Sequence, residues 1–183
     1  HYQYKGKYVM TAVKSGLMII DQHRAHVRVL YEQYLMRLKQ HKASSQKVLF
    51  PEVIQFSTSE QVALKEILPE MQEMGFELTP LGGDSYSVNS IPEGLEGLNV
   101  NALIHDMVAT AMQRDGKMKD EIDRSLALSL ARNAAIPQGQ VLGNEEMESL
   151  VNQLFACSNV KYTPDGKSVL CILPQQEIEK LLG

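Results

Sequence analysis

Cysteine is scarce in this 183-residue chain: Cys157 and Cys171 are the whole complement. Two thiols at that separation make neither a disulfide framework nor a zinc finger, so the fold must rest on packing. Each stands in an apolar stretch, and Cys171 is expected in the core. Long hydrophobic runs are missing as well. No stretch of about 18 apolar residues occurs, and no charged segment followed by an apolar one opens the chain, which argues against a membrane span and a signal peptide and for a cytoplasmic protein. Positive charge is not in excess: 18 Lys and Arg face 22 Asp and Glu, for a formal net charge of -4. Tight phosphate binding draws on clustered cations, so this segment is not expected to hold DNA by itself. The first residue is His1, not Met, which suggests a piece of a longer protein or a tag remnant, with a partner domain missing. What the chain does have is 44% hydrophobic residues, enough for one generous domain or two small lobes.

Short β-prone runs at 2–5, 7–13 and 17–20, separated by Gly6 and by Ser15-Gly16, predict an antiparallel meander. Val27, Leu30, Tyr31, Tyr34, Leu35 and Leu38 then follow the spacing of one helical face, which fades into the polar segment 41–45, read as a linker. Residues 48–56 read as a strand in which Pro51 demands an edge or a bend. Ser57 with Glu60 is a capping-box signature for a helix burying Leu64, Ile67, Leu68 and Met71 and ending at Gly75. Gly82-Gly83-Asp84 is hairpin chemistry between 76–81 and 86–88. Val100, Leu103, Ile104, Met107, Val108 and Ala111 form an amphipathic stripe, and Gly116 separates it from a second helix over 118–133. A further helix is expected behind Asn144 as N-cap, with Met147, Leu150, Val151 and Leu154 inward. A strand at 168–173 and a terminal helix opened by Pro174 close the chain. The order predicts an α+β fold whose first and last segments share one sheet. The expected domains are residues 1–45 with 93–183 as one lobe, and residues 46–92 as an inserted αβ lobe.

Asp21-Gln22-His23 stands where a buried strand meets a helix. A carboxylate and an imidazole two residues apart can converge on one metal ion, with Glu32 further along the helix. The bland alternative is that Asp21 caps the helix and His23 sits in its first turn, while His26 and His105 are surface or satisfied histidines. The segment from Met18 to Glu32 resembles the part of MutL C-terminal domains that reads Asp-Gln-His-Ala, two residues, Glu, four residues, Glu. A Gln-x-x-Leu-x-Pro segment and a late Ala-Ala-Ile segment fall in the same family's order, so the resemblance covers nearly the whole chain. It implies a two-lobed dimerisation domain and, in nuclease-bearing members, a metal site that nicks DNA.

Carried over residue by residue, that site is incomplete. Asp21, Gln22, His23 and Glu32 match, but the first motif glutamate falls on Val27. The Ala-Cys-Arg motif falls on Ala131-Arg132-Asn133, and the Cys-Pro-His-Gly-Arg-Pro motif on Thr163-Pro164-Asp165-Gly166-Lys167-Ser168. Asp165 keeps an oxygen there, and Cys157 lies at the wrong offset. A nicking centre needs several converging donors and an open position, so the resemblance implies a lineage that has lost its nuclease, with no catalytic residue and no metal in this domain.

Gln46-Lys47-Val48-Leu49-Phe50-Pro51 has the shape of peptides that dock on the bacterial sliding clamp, and MutL proteins carry a similar segment here. Leu49 and Phe50 would fill an apolar pocket while Gln46 bonds at its rim; the alternative is a plain strand with Val48 and Phe50 turned inward. The leading expectation is therefore a homodimerising and partner-docking domain. By resemblance it joins absent N-terminal ATPase domains, with their ATP and Mg, into a clamp on DNA, and it works with a MutS-type mismatch-recognition protein and a sliding clamp. The competing readings are a metal-dependent nicking endonuclease using Asp21, His23, Glu32 and Asp165 or Cys157, and an unrelated αβ interaction domain.

Overall fold

The computed structural model describes residues 1–40, 44–95, 97–113 and 119–183. The order of elements is β1 (Tyr2–Tyr4), β2 (Tyr8–Val13), β3 (Gly16–Asp21), α1 (Gln22–Lys39), β4 (Ser45–Gln55), α2 (Thr58–Met74), β5 (Glu77–Gly82), β6 (Ser85–Pro92), α3 (Val100–Gln113), α4 (Lys119–Ala134), α5 (Asn144–Phe155), β7 (Leu170–Pro174) and α6 (Gln175–Leu182). Most of the expected linker at 41–45, and the separator Gly116 with Met118, lie outside the described residues. Among those described, no helix is long and apolar enough to cross a membrane.

The chain divides into two compact units, His1–Glu32 with Ala135–Gly183, and Gln33–Ala134. The inserted segment is thus wider than the expected 46–92. The physical reason is helix packing: α3 packs on both α2 and α4, so the amphipathic stripes after residue 92 bury themselves inside the inserted unit.

In the first unit an antiparallel sheet runs in the order β1-β2-β3-β7, so the two ends of the chain share it. Alternation gives this sheet two faces. Val9, Met18 and Ile20 point to a core completed by Ala25 and Val29 of α1, by Leu142, and by Met147, Leu150, Val151 and Leu154 of α5. On the other face Met10 opposes Ile19, which opposes Cys171. Cys171 is exposed, which corrects its expected place in the core. Its run is apolar, but its side chain falls on the face turned from the helices. The α5 cap is also corrected: Gly143 is the N-cap, and its N–H donates to Glu146 Oε2 at 2.6 Å, leaving Asn144 as the first helical residue.

Gly6 shows why the β1–β2 turn needs glycine. Its φ is 58°, and a Cβ there would meet the carbonyl oxygen of Gly139 at 2.7 Å. That close approach is also a bond, Gly139 N–H to Gly6 O at 2.9 Å.

In the second unit a sheet of order β4-β6-β5 accompanies α2, α3 and α4. Ser57 and Glu60 form the expected capping box, and Gly75 closes α2 at φ 106°. Phe56 stacks edge-on against Tyr86 and lies 5.1 Å from the His105 ring on α3. His105 Nδ1 also meets Glu60 Oε1 at 3.3 Å.

The second unit carries one electrostatic fault. Asp123 of α4 is only 5% exposed, and its Oδ1 and Glu70 Oε2 are buried without a hydrogen-bond partner among the described residues. Burial raises the Asp123 carboxyl above the usual carboxylate range; Lys119 opposes that rise, while Glu70, Glu73 and Asp120 add to it. A carboxyl with a raised folded-state pKa favours the fold below its unfolded pKa, near 4, and loses that contribution as pH climbs through the folded value. Asp123→Asn should therefore stabilise the protein at pH 7.5 by about 1 kcal/mol, or about 2–4 °C in Tm, with the gain vanishing below about pH 4. Thermal melts of both proteins across that range check this; an equal gain at both ends would remove the carboxylate as the cause.

Candidate functional site

The Asp-Gln-His segment lies where β3 passes into α1, and every side chain in it has a partner inside the first unit. Asp21 is buried at the end of β3. Its Oδ1 accepts the Arg24 backbone N–H at 3.0 Å, which is helix N-capping, and its Oδ2 lies 3.6 Å from Arg24 Nε. Gln22 is fully buried. Its Nε2 donates to Gly6 O at 2.7 Å and Gln140 O at 2.9 Å, and its Oε1 accepts from Gln3 Nε2 at 2.7 Å. The amide therefore ties the β1–β2 turn to the segment before α5. His23 Nδ1 donates to the Ile136 carbonyl at 2.8 Å, since a carbonyl can only accept. Ile136 N–H in turn donates to His26 Nδ1 at 2.9 Å. Burial, and then the neighbouring His23, lower the His26 pKa, in keeping with a neutral ring that accepts.

Glu32 and Asp165 are held just as firmly. Glu32 accepts the Ser158 backbone N–H at 3.1 and 3.0 Å through its two oxygens, and Ser158 Oγ donates to Oε1 at 2.7 Å. Asp165 Oδ1 accepts from Thr163 Oγ1 at 2.7 Å, and its Oδ2 meets Lys167 Nζ at 3.4 Å. Thr163, where the family motif has cysteine, is buried and closes the turn by accepting Lys167 N–H at 2.9 Å.

Sequence reasoning missed Arg28. It is 7% exposed, donates through Nε to Tyr162 O at 2.8 Å, and reaches Glu32 Oε1 through Nη1 at 3.5 Å. Arg24 likewise donates through Nη1 to Ser168 O at 2.8 Å. Two guanidinium groups of α1 thus hold the 162–168 segment. The signal was present: Arg28 and Glu32 are four apart, the spacing at which helical side chains meet.

This donor set does not suit a transition metal. Asp21 spends one oxygen on a backbone N–H and has the other beside Arg24 Nε, Glu32 spends both on the Ser158 N–H, and a fixed positive charge sits beside Glu32. Val27, at the missing glutamate position, is buried. Burial, then the Glu32 carboxylate, push the Cys157 thiol up to about 11 against the pull of Arg28, so it remains a protonated thiol, donating to Gln153 O at 3.4 Å. Arg132 belongs to α4 of the second unit. Among the described residues no three His, Cys, Asp or Glu side chains are grouped to hold a metal.

The second candidate segment lies on β4, an edge strand of the second unit's sheet. Gln46 and Lys47 pair with Ile91 and Ser90, and pairing then resumes only with Glu52 opposite Val88. The register shift between them carries the residues around Pro51 out of step with β6. Leu49 is 90% exposed and Phe50 85%, and the Gln46 side chain is exposed as well. The inward strand reading fails here, because Phe50 does not turn to the core.

The family described as MutL C terminal dimerisation domain matches residues 1–142. The chain is 52% identical over 181 residues to the DNA mismatch repair protein MutL of Phocaeicola vulgatus, covering 99% of this chain and 29% of that protein. It is 51% identical over 181 residues to the MutL of Bacteroides fragilis, again 99% and 29%, and 45% identical over 179 residues to that of Parabacteroides distasonis, 98% and 29%. The chain therefore spans under a third of the length of these relatives. On the extent of the family match and these identities, the chain belongs to the family of MutL C-terminal dimerisation domains.

Proposed function

We propose that this chain homodimerises and docks partners within a MutL-type DNA mismatch repair protein. The observation that carries the proposal is the outward face of the first sheet. Three cross-strand rows cross it: Tyr2, Met10, Ile19 and Cys171; Ala12, Leu17 and Leu173; and Tyr4, Tyr8 and Asp21. Tyr2 is 65% exposed and Tyr4 44%, and none of the apolar residues in these rows is fully buried. An apolar face of this kind on a monomer marks an interaction surface. On this reading the dimer holds two copies of N-terminal regions beyond this chain, ATPases using ATP and Mg, which close as a clamp on DNA beside a MutS-type partner in the bacterial cytoplasm and at the nucleoid. Light scattering at micromolar concentration should give twice 20.5 kDa. A monomer mass there would count decisively against it.

We further propose that Gln46, Leu49 and Phe50 dock on the sliding clamp. Two large apolar side chains held in solvent at a break in the ladder are anchors without a pocket of their own. Replacing all three by alanine should weaken clamp binding by at least about tenfold with fold and dimer intact. Calorimetric titration against purified clamp decides; an unchanged affinity would reduce the segment to an ordinary edge strand.

Loss of the nuclease completes the proposal. The reading rests on the occupied donors and the Arg28 guanidinium, and it assigns Asp21, His23, Glu32 and Asp165 to holding the fold. Elemental analysis of the purified domain should find less than stoichiometric transition metal, and the full-length protein with manganese should not nick supercoiled DNA. One bound equivalent, or nicking abolished by Asp21→Asn, would restore the endonuclease.

A further inference from the structure

The segment 136–142, which leads into α5, is fixed along its length within the first unit. Two imidazoles grip its first residue: His23 Nδ1 donates to the Ile136 carbonyl at 2.8 Å, and His26 Nδ1 accepts the Ile136 N–H at 2.9 Å. Gly139 N–H donates to Gly6 O at 2.9 Å, Gln140 O accepts from Gln3 Nε2 and Gln22 Nε2, and Leu142 N–H donates to Gln3 Oε1 at 3.2 Å. A loop tied at these points is a preformed wall. It bounds a cleft of about 390 Å³ against α5 and His26 of α1, lined wholly by residues of the first unit. Clefts of about 300–1,000 Å³ are the size that holds small ligands.

This cleft has an apolar floor and an acidic rim. Leu142 and Leu150, both buried, form the floor with Ile136. Glu145 and Glu146 in the first turn of α5 bring the charge, and among the described residues no lysine or arginine lines the cleft. Glu146 spends Oε2 on the Gly143 N–H, whereas Glu145 has neither hydrogen bond nor ion pair among the described residues. One helical turn on, Ser149 Oγ accepts from Gln153 Nε2 at 3.0 Å and keeps a second lone pair. His26 adds a flat ring, which burial and then the neighbouring His23 keep neutral.

We infer that the cleft binds a guanidinium group on an aliphatic stem, the chemistry of an arginine side chain or of a free alkylguanidine, with Glu145 taking the head and Ile136, Leu142 and Leu150 the stem. A planar guanidinium stacks on a neutral ring and pairs two-pronged with a carboxylate, while a methylene stem covers apolar surface. An ammonium group matches neither the plane of the ring nor the fork of the carboxylate. Because the wall is already tied down, binding needs little further ordering of the protein. The cleft shares no residue with β4 or with the outward face of the first sheet, so this inference stands apart from the functions proposed above.

Amide NMR titration of the whole chain with N-acetyl-arginine methylamide tests this, with the citrulline analogue as the neutral control of the same shape. The arginine probe should shift amides within 136–153 saturably, and citrulline should not. Glu145→Lys should weaken the arginine probe at least about tenfold by placing a like charge at its head, and Glu145→Gln by about threefold. Glu145 is exposed, so circular dichroism should match the parent; if the lysine variant loses its fold, the glutamine variant carries the test. Agmatine separates the sources: affinity equal to that of the capped arginine assigns the cleft to a free guanidine, and affinity at least about fivefold weaker assigns it to an arginine within a polypeptide. No saturable shift with the arginine probe, an equal response to citrulline, or unchanged affinity in the folded Glu145 variants overturns the inference.

Discussion

The hydrogen bonds between β3 and β7 join Gly16–Ile20 to Leu170–Pro174 across almost the whole length of the chain. Closing so long a loop costs conformational entropy, but the cost grows only logarithmically with length, so an inserted unit of a hundred residues adds little. Once β7 is in place, Asp21 N–H donates to Val169 O, and Arg24 reaches Ser168 O. The β3–α1 junction is therefore built against chain that arrives last. Its geometry, and the core between the sheet, α1 and α5, follow from that pairing.

The same junction gives each residue of the Asp-Gln-His segment a partner within the fold. Asp21 satisfies an otherwise orphan N–H at the start of α1. Gln22 bonds three partners from a fully buried position, and His23 holds a backbone carbonyl. Removing any of these groups would leave a buried polar atom unpaired, which is costly. Arg28 adds a permanent cation where Glu32 and the 158–162 segment meet. A guanidinium with several donors can bridge a carboxylate and a carbonyl much as an ion would, but it leaves no open coordination position.

The two proposed binding surfaces arise by different routes. On the first sheet, strict alternation places an apolar set on each face, and helices cover only one of them. On β4, a local break in register puts Leu49 and Phe50 in solvent, on a strand whose edge position also tolerates Pro51. The first surface is an extended apolar face of a sheet, the second short and protruding. That difference matches an interface between copies in one case and a peptide-like anchor in the other.

Much of this was legible in the chain itself. The meander, the capping box at Ser57 and Glu60, the hairpin at Gly82-Gly83-Asp84 and the stripe from Val100 to Ala111 follow from local chemistry and period, and the sharing of one sheet by both chain ends follows from element order. The degenerate motif positions at Val27 and Thr163 were equally visible, because ligand identity is a property of residue type. Tertiary structure alone decided the rest. Whether Cys171 points inward depends on which face of the sheet meets the helices, and an apolar run reads the same either way. Whether α3 and α4 join the inserted unit depends on which amphipathic face finds which partner, since a stripe records that it must be buried but not against what. Pro51 demands an edge or a bend in β4, but which way the register shift turns Phe50 is not set locally, and the burial of Arg28 depends on a segment more than a hundred residues away along the chain.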